Sequence, residues 1–289
     1  MRIFKHKAEM LLIMAAFIWG SSFVIMKESL SSLSTGVLLA IRFLVASGVI
    51  YLLFHRKLTG LDFPKIVRGS LTGVLLFGAY LVQTLGLATT TSAKNAFLTA
   101  VYVAFLPFLH WLVYSKKPDG YNFLAAAMCL AGVGLISLTG SLTIEIGDGL
   151  SILAGFFFAC HILAISWFSK DVNPYELAFV SFLTTSFLAA IYASLFEGWG
   201  SLANIDIKVA AVLGYLAVFC SALALLFQNI GLEGTDSLTG SLLLSLESVF
   251  SVFFSIFYGE EVTLRMVVGF VAIFCAIVVS TTKLKFQKS

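Results

Sequence analysis

Apolar runs of about 18 to 22 residues follow one another through the whole sequence, separated by short polar turns, and few folds accept that pattern. Such a run matches an α-helix crossing a hydrocarbon core ~30 Å thick, whereas an outer-membrane barrel would need alternating segments of about ten residues. Composition agrees. Hydrophobic residues make up 60% of 289, charged residues 11%, and mean hydropathy is +1.01, too little charge to coat a soluble domain. The sequence therefore predicts an all-α integral membrane protein. The run from Met10 follows Arg2, Lys5 and Lys7 as a signal peptide would, but its length and the spans directly after it make it the first helix.

The runs predict ten transmembrane helices, at 8–26, 35–54, 66–87, 93–114, 121–139, 149–169, 175–196, 207–230, 237–258 and 264–282. Ten spans put both termini on one side. That side holds Arg2, Lys5, Lys7, Arg56, Lys57, Lys65, Arg68, Lys116, Lys117, Lys170, Lys283, Lys285 and Lys288, and the other holds Lys27, Lys94, Lys208 and Arg265. Thirteen against four, with Arg42 inside a span, account for all 18 basic residues and predict cytoplasmic termini. Cys129, Cys160, Cys220 and Cys275 lie inside apolar runs without a CxxC pair, which reads as small core residues, not disulfides or metal ligands. No basic stripe suggests a nucleic-acid partner.

The stretch LVQTLGLATTTSAKNAFLTAVYVAFLPFLHWLVYSKKP at 81–118 is echoed from Leu226. Adding 145 carries Gln83, Gly86, Leu87, Ser92 and Leu98 onto Gln228, Gly231, Leu232, Ser237 and Leu243. Earlier in each half the offset is 139, taking Phe43 to Phe182 and Leu44 to Leu183, and the extra residues fall in the loop around Glu197–Ile205. The expected division is a first five-helix repeat over 1–145 and a second over 146–289. Five is odd, so the second repeat enters the membrane inverted. Inverted bundles around a midplane site are the architecture of alternating-access transporters, which implies a small-molecule substrate and the lipid bilayer as partners.

Several polar residues lie deep in the spans. Glu247, about ten residues into its helix, carries a carboxylate near the midplane, where an uncompensated charge costs ~3 kcal/mol or more. It reads either as a site for a substrate amine or a proton, or as a neutral interhelical hydrogen bond. Arg42, ~10 Å below the outer surface, either meets a substrate carboxylate or serves as a structural tie that snorkels outward or pairs with Glu247 or a backbone carbonyl. Asn95, Thr99, Tyr102 and Leu106 share one face of the fourth helix, and Gly240, Leu244, Glu247 and Ser251 are their repeat equivalents. His161 is equivalent to Ser22 and faces the same cavity, or else packs with a hydrogen bond. Trp19, Ser22, Phe23 and Met26 form a mixed aromatic and polar face that suits a cavity wall or plain packing. Gln83 and Gln228, near opposite mouths of the path, are gate candidates or interhelical hydrogen bonds. Pro107 is expected to break and kink the fourth helix, and Gly69 and Gly73 form a small-xxx-small contact on the third.

Four segments recur in order: AFIWGSSFVIMK at 16–27, AIRFLVA at 40–46, a QxxGL turn followed by TSAKNAFLTA at 91–100, and LESVFSVFFSIFYGEEVT at 246–263. With these, the whole chain resembles the EamA family of the drug/metabolite transporter superfamily. The resemblance implies a ten-helix transporter of a bacterial-type plasma (inner) membrane, often an exporter of amino acids or other small metabolites, with a central cavity and no cofactor. Glu247, Arg42, Trp19 and Tyr102 match positions the family commonly shares. Many relatives carry proline after the matching Glu, where this chain has Ser248.

The leading expectation is a secondary exporter of amino acids or related metabolites, with proton coupling through Glu247 as one form of it. A drug or lipid-linked substrate exporter or flippase uses the same scaffold, and a membrane scaffold or sensor is the alternative without transport. An intramembrane enzyme would need an HExxH, paired aspartates or a nucleophile beside a histidine, none of which the sequence offers, so no catalytic residues are assigned. Substrate, direction, coupling ion and oligomeric state stay open at this level.

Overall fold

The structure, a computed structural model, describes residues 2–58, 60–115, 117–118, 120–137 and 145–282. Lys116, Lys283, Lys285 and Lys288, the join at 138–144 and the side chain of Cys129 lie outside the described residues. In chain order the helices are α1 (Arg2–Ser29), α2 (Thr35–Phe54), α3 (Phe63–Thr89), α4 (Ser92–Thr99), α5 (Tyr102–Tyr114), α6 (Gly120–Ser137) and α7 (Ile146–Phe168). They continue as α8 (Pro174–Tyr192), α9 (Ile207–Tyr215), α10 (Ala224–Gly234), α11 (Ser237–Leu244), α12 (Leu246–Phe257) and α13 (Leu264–Thr282). A π-helical stretch, Leu216–Leu223, joins α9 to α10.

With α4 and α5, α9 and α10, and α11 and α12 each stacked into one rod, eight helices among the described residues are long and apolar enough to cross a membrane. The remaining two predicted spans correspond to α6 and α13, which pack along each other; α13 carries the shorter apolar segment Leu264–Ala276. Large apolar side chains such as Leu112 and Phe257 point outward, more than 80% exposed, as helices solvated by lipid require. Of the described cysteines Cys220 is buried, Cys160 half-buried and Cys275 exposed. The expected core position thus fails for Cys275, because a lipid-facing and a core-facing apolar residue look alike in sequence.

Polar side chains start the helices where the sequence turns. Asp62, Thr91, Asn173, Asp206 and Asp236 each accept from a backbone N–H of the following turn, a cap contributing about 1 kcal/mol. Small residues then bring the helices together. A Cβ on Gly69 would meet Val180 Cβ at 2.6 Å, and one on Gly73 would meet the Ser181 carbonyl at 2.7 Å, so α3 lies directly on α8. Gly86 of α3 likewise abuts the Gly147 carbonyl (2.9 Å) and Ser151 Oγ (3.0 Å) of α7. Gly231, 145 residues on, abuts the Ala8 carbonyl (3.1 Å) and Leu12 of α1, positions 139 residues before Gly147 and Ser151. One contact is therefore made twice with the two sequence offsets.

The fourth and ninth predicted helices are each discontinuous at the same repeat position. Between α4 and α5 the amides of Val103 and Ala104 bond three residues back, to Ala100 and Val101, a tight 3₁₀ turn. Between α11 and α12 the amide of Ser248 bonds Ser245 in the same way, and Ser245 lies 145 residues after Ala100. Pro107 sits inside α5, past the break and not at it. The second half breaks without a proline: the hydroxyls of Ser241, Ser245 and Ser248 each donate to a carbonyl three residues back. Such back-bonding bends helices and keeps freed backbone groups satisfied away from water.

Ion pairs gather at the two ends of the bundle. At one end Lys94 pairs with Asp148 (3.0 Å) and Glu145 (3.6 Å), and Lys27 with Glu260 (3.8 Å). At the other, Lys65 pairs with the buried Glu176 (3.1 Å) and Arg68 with Asp171 (3.1 Å).

Candidate functional site

The two breaks face a cavity between the halves of about 20 Å³, room for roughly one water molecule. Most of its wall is made of repeat-equivalent pairs. Trp19 with Phe158 and Phe23 with Ile162 follow the 139-residue offset, while Gln83 with Gln228 and Tyr102 with Glu247 follow the offset of 145. Ser22, Tyr80 and Leu244 complete it.

Tyr102 and Glu247 occupy the first turns of α5 and α12, directly beyond the breaks. Glu247 is 6% exposed and opens into the cavity; no Lys or Arg pairs with it among the described residues. Tyr102 directs its hydroxyl toward the Ser241 carbonyl (3.5 Å). Trp19 is held by donation from Nε1 to the Cys220 carbonyl (2.8 Å) in the π-helical stretch, and Ser22 donates to the Trp19 carbonyl (2.8 Å). Gln83 Nε2 donates to Thr99 Oγ1 (3.4 Å), whereas Gln228 Oε1 is buried without a partner. The sequence suggests opposite mouths for these glutamines. In the structure both reach one cavity, each from about two turns inside its helix end.

Three predicted residues lie outside the wall. Arg42 is 0% exposed behind Tyr80, its guanidinium carbon 4.7 Å from the ring centre, so it neither snorkels outward nor lines the cavity. It donates through Nε to Ser221 Oγ and through Nη1 to Met26 Sδ (3.3 Å), and Nη2 has no partner among the described residues. Pairing with Glu247, one of the alternatives for a structural tie, is not formed. His161 turns to the Thr72 carbonyl (3.2 Å) and ties α7 to α3, leaving Phe158 and Ile162 of the same helix to face the cavity. Asn95 donates to Ser151 Oγ (2.8 Å) and the Gln83 carbonyl (3.2 Å), joining α4 to α7 and α3. Of the predicted common face of Asn95, Thr99, Tyr102 and Leu106, Tyr102 lines the cavity, while Asn95 and Thr99 both bond Gln83. Phe158, Ile162, Tyr80 and Leu244 were not among the predicted site residues. The first two were within reach of the sequence, since each stands 139 residues after a residue of the aromatic face on α1.

The sequence matches the EamA-like transporter family twice, over residues 6–138 and 145–282. The chain belongs to the EamA-like transporter family. A protein of Archaeoglobus fulgidus described as an uncharacterized transporter is 33% identical to this EamA-like chain over 257 residues, covering 88% of it and 79% of that protein. A second one from the same organism, described likewise, is 27% identical over 267 residues, covering 88% and 90%. A solved structure described only as the crystal structure of a protein superimposes with a TM-score of 0.72 at 17% identity, over 98% of this chain and 99% of that one, a likeness of fold. Family and relatives make this EamA-like chain a multi-pass membrane transporter.

Proposed function

We propose that this transporter is a secondary carrier that exports small amine-bearing metabolites, amino acids among them, by alternating access of two inverted repeats, with both termini in the cytoplasm. The observation that carries this reading is Glu247, a carboxylate set in the cavity wall without a cationic partner among the described residues. A charge at that depth is costly unless matched, and a substrate ammonium or a proton matches it. The two compete for one carboxylate, so each turnover exchanges one for the other. Trp19, Phe23, Tyr80, Tyr102 and Phe158 surround the site with aromatic rings, which attract a desolvated ammonium by about 2 kcal/mol. With Arg42 behind Tyr80, a substrate carboxylate would be met by the neutral polar groups of the wall, the side-chain amides of Gln83 and Gln228 and the hydroxyls of Ser22, Tyr80 and Tyr102.

The test is thermal denaturation of purified protein against a panel of amino acids, polyamines and choline, on wild type and Glu247→Gln. A ligand at a hundred times its Kd stabilises the folded state by about 2.7 kcal/mol. At least one amine is expected to raise the wild-type Tm and leave the variant's unmoved. Equal shifts in both proteins would contradict the role given to Glu247.

A further inference from the structure

We infer that Lys94 and Asp148 form the gate that closes one mouth of the path. This rests on the alternating-access reading above. Asp148, at the start of α7, is 0% exposed and lies against the turn between α3 and α4. Its Oδ2 pairs with Lys94 Nζ (3.0 Å), and its Oδ1 accepts from Thr90 Oγ1 (2.9 Å). From the opposite side Lys27 donates to the Thr90 carbonyl (2.8 Å), while Glu260 accepts from the amides of Ser92 (3.0 Å) and Ala93 (3.3 Å). The turn is thus clamped between α1, α7 and the α12–α13 connection. Below it the polar contact continues through Asn95, Ser151 and Gln83 to the cavity wall.

The same turn recurs between α10 and α11 at the other end, with none of this chemistry. Thr235 stands in for Thr90, Thr239 for Lys94, Glu9 for Asp148 and Ser166 for Lys27. Thr235 Oγ1 is buried without a partner, and Glu9 pairs with His6 (3.4 Å) on its own helix. Ser166 and Thr235 border an open pocket. Where Asn95 meets Ser151 at the first mouth, the second has Gly240 and Leu12, a Cβ on Gly240 lying 3.7 Å from Leu12 Cδ1. The turn above the cavity is therefore held by charge, whereas the buried ion pair at the other end, Lys65 with Glu176 (3.1 Å), ties α3 to α8 and leaves the turn there unclamped. Removing Lys94 leaves the buried Asp148 uncompensated, and removing Asp148 leaves Lys94 only its longer pair with the half-exposed Glu145 (3.6 Å), so the clamped mouth opens when either is neutralised.

The experiment places a reporter under the clamp, Ser151→Cys, in a background where Cys129, Cys160, Cys220 and Cys275 are replaced by alanine. The rate of labelling by a membrane-impermeant maleimide is measured on intact cells and on inverted vesicles. Asp148→Asn and Lys94→Met are each expected to raise labelling from the clamp's side on the order of tenfold, with no further gain when combined. Lys94→Arg, which keeps the charge, stays slow. The proposal is overturned if properly folded single variants, judged by cooperative melting, label at the parent rate, or if their effects multiply. It is equally overturned if Lys94→Arg labels as fast as Lys94→Met. Labelling needs no substrate, so a protein that moves nothing would sink the transport reading without blocking this test.

Discussion

Arg42 is the residue at which charge and packing make opposite demands. The guanidinium is fully buried, has no carboxylate partner among the described residues, and is held by a serine hydroxyl, a methionine sulfur and two aromatic rings. Its volume supports Tyr80 while its charge is a burden, and replacing buried ions by apolar groups of like size is often neutral or stabilising. Arg42→Met is therefore expected to melt at or above the wild-type Tm, whereas Arg42→Ala, which leaves a void behind Tyr80, loses on the order of 3 kcal/mol. A loss as large in Arg42→Met would show that the charge itself holds the fold. That Arg42, Glu247, Trp19 and Tyr102 are buried was legible in the sequence, because each polar or aromatic group stands well inside an apolar run. Their direction was not. His161 and Ile162 are one residue apart, about 100° around the helix, and in a membrane protein both directions can be apolar, so no amphipathic stripe separates them.

At the scale of the helix, the cavity wall rests on two breaks that no single sequence signal marks. Pro107 pointed to a kink in the first half, yet the backbone yields before it, at Ala100 and Val101, and the serines at 241, 245 and 248 give the same result in the second half. The repeat offset links the two breaks, but hydropathy reads straight through both. Gly155 of α7 supports the first break from behind: a Cβ there would meet the Thr99 carbonyl at 2.7 Å and the Tyr102 amide at 3.3 Å, backbone atoms that cannot swing aside. Gly155→Ala is expected to cost about 1–3 kcal/mol by overpacking, read as a lowered Tm, and to weaken ligand-induced stabilisation because Tyr102 moves with the turn. A variant as stable as wild type would mean that α7 can retreat from the break.

Over the whole molecule the sequence was most informative, since the succession of apolar runs marks the membrane helices and the two offsets mark the contacts made twice. It was silent on how the halves are held, because ion pairs such as Lys94 with Asp148 join residues far apart in sequence. Glu260 offers a check on that linkage from outside the spans. Burial alone would raise its carboxyl pKa, but the amides of Ser92 and Ala93 outweigh that and hold it below the ordinary value of 4.5. A carboxyl depressed by folding adds stability above its unfolded pKa and loses it as pH falls through the folded value. The Tm gap between wild type and Glu260→Gln is thus expected to be constant near neutrality and to close as pH drops below about 4.5; a gap that persists in acid would exclude this linkage. The central claim concerns the cavity, and flux in proteoliposomes under an imposed pH gradient tests it most directly, using the panel compound that stabilises the protein most. Wild type is expected to drive that compound toward the acidic compartment in exchange for protons, and Glu247→Gln to show no gradient-driven movement. Gradient-driven flux of equal size in the variant would contradict the account.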